Sequence, residues 1–295
     1  MFKNKIINID KTSEKIIDSD KNISANSKAD YYAKASKNNL KTAVKFINKS
    51  VKPAGNKEVN ELVAKYKLKG ISFGNWVSQN ERLNFVTMLN KSLADLSKIM
   101  GFTNIGLNGT IGISYGDRGY GGSLAHFNAY TFVINLNKIT GLQSLSHEYG
   151  HALDAFFHVY EFKSTGFLSA GGRDSETVAR DFPKKSKTLY RLANLVVNQF
   201  IFDEKGELSV TYNRLLKNVA NTSKGDYFIR RIEIFARCFE SYMQTKIEKT
   251  KSRNIFLAKS KEKYNDFIYP IGNEKKLIIA TMDMLISQFK NIIKK

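Results

Sequence analysis

Apolar positions between Trp76 and Met100 recur at helical spacing, with Phe85, Met88, Leu89, Leu93, Leu96 and Met100 on one stripe. This predicts a long amphipathic helix lying on a core. The period then changes. Ile105 to Ser114 alternates weakly between glycines, and Ala129 to Asn137 alternates well, setting Tyr130, Phe132, Ile134 and Leu136 against Thr131, Val133 and Asn135. Both stretches read as strands. Helical spacing returns from Gly141 to about Tyr160, at Leu189 to Phe200, at Arg214 to Ala220, from Glu233 to about Met243, and from Leu277 to Ile293. Phe162 to Pro183 reads as a loop and Lys246 to Lys263 as a charged connection. The pattern predicts an α+β fold: short strands followed by a helix-dominated second half.

Residues 1–66 do not share this pattern. Their apolar positions are sparse among Lys, Asn, Ser and Asp, and Pro53-Ala54-Gly55-Asn56 marks a break. They read as a basic, partly ordered N-terminal arm. The domain then covers 67–295, with one lobe at 67–160 and a helical lobe at 161–295.

Composition narrows the partners. Lys and Arg total 47 against 27 Asp and Glu, a formal net charge of +20. The excess is mostly lysine, whereas phosphate readers often use arginine where bidentate geometry matters. Nucleic acid could be attracted through the basic surface but is not the favoured partner. The one cysteine, Cys238, excludes an internal disulfide. No apolar run is long enough to span a bilayer and no secretion signal is seen, so the expectation is cytoplasmic, with delivery into a host cell left open.

The chemistry concentrates in Ser146-His147-Glu148-Tyr149-Gly150-His151-Ala152-Leu153-Asp154. Histidines four apart share a helix face, and Glu148 follows the first. This H-E-x-x-H arrangement binds Zn²⁺ and activates water for hydrolysis, with the glutamate as general base. Two of only four histidines fall at this spacing. A zinc site needs a third ligand. Position 157 is Phe, and His158 is one residue too late for the extended three-histidine form. Glu233 and Glu240, on the helix beginning near Glu233, are seven apart and share a face, so periodicity does not choose between them. The small Ala236 would allow close helix approach and favours Glu233. Asp154, three residues past His151, could accept that histidine's second ring N–H. Arg118, in the glycine-rich Tyr115–Gly122 loop, and His126 could contact substrate or support the site.

His147–Asp154 and Glu233–Phe239 resemble the metal-site helices of the anthrax lethal factor-type gluzincin metallopeptidases. The resemblance implies one zinc per chain, held by His147, His151 and the Glu233 of an E-x-x-A helix. It also implies a transition-state tyrosine; Tyr227 is the nearest match, one residue closer to the glutamate than the family spacing. A broader resemblance over about 70–250 rests on Gly70–Trp76, Ser114–Phe127, Val133–Leu136 and the metal helix. These are similar to the large polyvalent protein-associated domain, a zincin-like domain of phage and mobile-element proteins. In such folds the strand before the metal helix often pairs with an extended peptide, and Ala129–Leu136 is expected there. The expected function is zinc metallopeptidase acting on a protein or peptide substrate. A non-catalytic zincin-like binding module and a nucleic-acid-associated protein of a mobile element are the alternatives.

Overall fold

In the computed structural model, the described residues are 56–117, 125–137, 143–170, 188–220, 222–223, 225–250, 254–259 and 261–293. The apolar stripe of the first long helix, α2 (Gln79–Met100), is buried along its length. Its start is set chemically: the Ser78 backbone N–H and hydroxyl both donate to Glu81, each at 2.8 Å. Its end is set by Gly101 at φ +73°, whose N–H reaches the Ser97 carbonyl. Before α2 come α1 (Asn56–Tyr66) and β1 (Gly70–Phe73). Leu62 and Tyr66 of α1 are buried in the common core, so the stretch assigned to the arm already joins the domain at its C-terminal end. The rest of the arm lies outside the described residues.

Three further strands, β2 (Gly112–Tyr115), β3 (Ala125–Asn128) and β4 (Val133–Leu136), complete a mixed sheet of order β1-β2-β4-β3. β1, β2 and β4 run parallel; β3 is antiparallel to β4, with His126 opposite Asn135. Ile71, Ile113, Tyr115, Ile134 and Leu136 are buried. Below them Phe85 of α2 stacks on Tyr115, ring centroids 4.1 Å apart, and meets Phe256 edge-on at 5.6 Å. The Trp76 indole donates to the Gly116 carbonyl, pinning the start of α2 beneath the β2 end.

Two strand expectations shift. Ala129–Thr131 form a turn, because the Asn128 side chain accepts the N–H groups of Tyr130 and Thr131, each at 3.0 Å. Tyr130 is 92% exposed there. Consequently Ala129–Leu136 is not the sheet edge: β4 is enclosed between β2 and β3, and β3 takes the edge beyond it. Residues 105–110 likewise turn; the Tyr149 hydroxyl donates to the Ile105 carbonyl at 2.9 Å.

The second half is helical: α3 (Leu145–Phe162), a 3-10 turn Leu168–Ala170, α4 (Thr188–Ile201), α5 (Val210–Val219), α6 (Gly225–Ile229), α7 (Arg231–Lys249), a 3-10 turn Lys261–Asn265 and α8 (Gly272–Ile293). α3 packs closely on α7 and α4 on α8. Phe157 of α3 stacks flat on Phe289 of α8 at 3.8 Å. One core runs through both proposed lobes. Among the described residues no helix is long and apolar enough to cross a membrane.

Candidate metal centre

The centre forms where α3 crosses α7. The crossing is close because both helices are small there: a Cβ added to Gly150 would lie 3.3 Å from the Ala236 Cα and from Phe239. Gly150 therefore trades helix propensity for approach. Around this contact lie the polar groups. His147 and His151 present their rings 4.9 Å apart and nearly perpendicular. Glu233, in the first turn of α7, faces both: Oε2 is 3.3 Å from His147 Nε2 and Oε1 is 3.4 Å from His151 Nε2.

The donor atoms of these three residues all lie within 4.8 Å of one another. Ligand atoms at the corners of a tetrahedron with zinc bonds of about 2.0–2.1 Å are about 3.3–3.4 Å apart, the separation between each imidazole and the carboxylate. Glu233 Oε2 is buried and makes no well-aligned hydrogen bond, although His147 Nε2 faces it; a buried oxygen is normally satisfied. Two imidazoles and a carboxylate suit zinc. On these grounds the residues present fit a zinc ion.

Without a metal, the same groups pair with one another. Burial opposes charge on His147, but Glu233 and Glu240 outweigh it and push its pKa up to about 10. Burial would raise the Glu233 carboxyl, yet His151 and His147 hold it well below the usual range. Glu148, also buried, goes the other way: burial pushes it up against the opposing influence of His147, His151 and His126.

The other expected site residues divide. Tyr227, on α6, is 41% exposed. Burial, with Glu233 beside it, pushes its phenol pKa up, so it stays protonated. Its neighbour Phe228 is held by Arg237 of α7, which donates to the Phe228 carbonyl and lies over its ring. His126 sits on edge strand β3, which packs against α3. Arg118 lies outside the described residues. Asp154 does not take the expected role: its carboxylate accepts the backbone N–H of Ser169 at 2.9 Å and the Ser169 hydroxyl. α3 turns Asp154 towards the Leu168–Ala170 turn, where those donors satisfy it. The same turn is tied to α7 by Arg231, whose Nε donates to the Ser169 carbonyl at 3.0 Å and whose Nη2 donates to Asn194 at 2.8 Å.

Glu240 has a place the sequence did not reveal. It is not grouped with the three convergent donors but lies behind His147, its Oε2 3.4 Å from Nδ1. The shared face with Glu233 was the available signal, and it spoke for two different contacts with one histidine.

Residues 219–292 match the family model of large polyvalent protein-associated domain 1. The match takes in α7, with Glu233 and Glu240, and nearly all of α8. It leaves out α3 and the 70–136 stretches on which the broader resemblance rests. No curated protein and no solved structure matches.

Proposed function

We propose that this chain is a zinc-dependent, zincin-like (gluzincin) metallopeptidase that hydrolyses peptide bonds of a protein substrate. The observation that carries the reading is the convergence of His147, His151 and Glu233 within 4.8 Å, with Glu148 buried next to them. His147, His151 and Glu233 would hold the ion, which supplies Lewis acidity to a water and to the scissile carbonyl.

The chain's own groups then divide the proton work. Glu148, made more basic by burial, accepts the proton of the attacking water and later returns it to the leaving amine. Tyr227 keeps its proton and can donate a hydrogen bond to the oxyanion. An extended peptide suits β3, an edge strand beside α3 that offers backbone hydrogen bonds without demanding a sequence.

The test is zinc content of protein purified without chelator, followed by incubation with a library of unstructured peptides. About one zinc per chain and cleavage that chelator abolishes and added zinc restores are expected. Absence of zinc uptake would overturn the proposal. Zinc uptake without any cleavage would favour a binding module.

A further inference from the structure

We infer that Glu240 is a positioning residue for His147, and that the segment around Lys259–Tyr269 exists in part to hold it. The inference rests on the zinc reading and adds a requirement to it. A histidine that ligates through Nε2 must be neutral, with its proton on Nδ1, and that N–H needs an acceptor to fix tautomer and ring. Glu240 Oε2, 3.4 Å from His147 Nδ1, is such an acceptor. Glu233 and Glu240 are two turns apart on α7, so one helix supplies the carboxylate before the ring and the one behind it.

A buried carboxylate is costly unless its oxygens are satisfied. Glu240 is fully buried, and three side chains from one downstream segment converge on it. The Tyr264 hydroxyl donates to Oε1 at 3.1 Å and the Tyr269 hydroxyl to Oε2 at 2.9 Å. Lys259 Nζ lies 3.1 Å from Oε1 and also contacts the Tyr269 hydroxyl. A network serving only to anchor the segment would not need to place its carboxylate against a histidine ring.

The test compares full-length parent, Glu240→Gln and Tyr269→Phe. Zinc affinity is measured by chelator competition, the fold by circular dichroism in chelator, and ligand geometry by the visible spectrum with cobalt(II) in place of zinc. Glu240→Gln should keep the fold, weaken zinc binding about 10- to 100-fold and shift the cobalt bands. Tyr269→Phe, which leaves the carboxylate in place, should weaken binding less and in the same direction. If Glu240→Gln is unfolded, the tyrosine variant decides: parental affinity and an unchanged cobalt spectrum overturn the inference. Parental affinity in a folded Glu240→Gln overturns it too while leaving the zinc reading intact. A parent that binds no zinc removes both.

Discussion

Glu148 and Glu233 are both buried near the same two imidazoles, yet their surroundings drive them apart. Glu233 faces both rings and stays ionised, while burial raises Glu148. Carboxylates separated in this way take different roles. Glu233→Gln should therefore lose zinc, as read by chelator competition. Glu148→Gln should keep zinc and fold while hydrolysis falls by about 10²- to 10⁴-fold, the range of general-base catalysis. Parental cleavage by Glu148→Gln at equal zinc occupancy would mean that another group takes the proton. Asp154 gives a second prediction. Burial, offset in part by Ser169, raises its pKa from 3.8 to about 6. The folded value lies above the unfolded one, so its favourable contribution is complete below the unfolded value and lost as pH rises through the folded one. Asp154→Asn, which cannot ionise, should flatten the pH dependence of urea-unfolding stability between about pH 4 and pH 6. A dependence identical to the parent's would show that Asp154 ionises freely in the folded protein.

At the scale of elements, the centre depends on how closely α3 and α7 approach. Gly150 against Ala236 and Phe239 sets that distance. Ala236 is fully buried one turn after Glu233, so Ala236→Leu must separate the helices. Overpacking of this kind costs about 1–3 kcal/mol. It should also weaken zinc binding, because Glu233 moves away from both histidines; calorimetric titration alongside thermal unfolding reads both effects. Lower stability with parental zinc affinity would separate helix spacing from metal binding. The sequence already marked Ala236 as allowing close approach to the helix of His147, whereas the contact of Gly150 with Ala236 and Phe239 was not legible. The β3–β4 hairpin was misread for a related reason. Tyr130 and Phe132 alternate as a strand should, but Asn128 closes a turn over them. A local side-chain hydrogen bond overrode the apolar period.

Across the whole molecule, the proposed metal ligands come from helices far apart in sequence, so zinc binding should be a folding event. Zinc at 100 times its dissociation constant adds about 2.7 kcal/mol of stability if the unfolded chain does not bind it. Scanning calorimetry should thus show a higher midpoint with zinc than with chelator, and equal midpoints would argue against a site formed by folding. The C-terminal part is integral to the same body. Phe289 stacks on Phe157 of α3, and Tyr264 and Tyr269 hold Glu240. A chain ending at residue 250 should lose cooperative unfolding and zinc binding together. Retention of both would make α8 dispensable.

What the sequence determined by itself was local. Four-residue spacing places His147 and His151 on one helix face, Glu148 follows with them, and the buried stripe of α2 follows from its period. These relations depend on backbone geometry within a few turns and survive any packing. The tertiary structure decided the rest. Glu233 and Glu240 are equivalent by period, and only the crossing of α7 over α3 puts one at both Nε2 atoms and the other at Nδ1 of His147. Asp154 found Ser169 instead of His151 because the chain returns past it at the Leu168–Ala170 turn. β3 became the edge because the hairpin folds back outside β4. Each outcome joins residues whose meeting is set by packing and loop closure, which local periodicity does not encode.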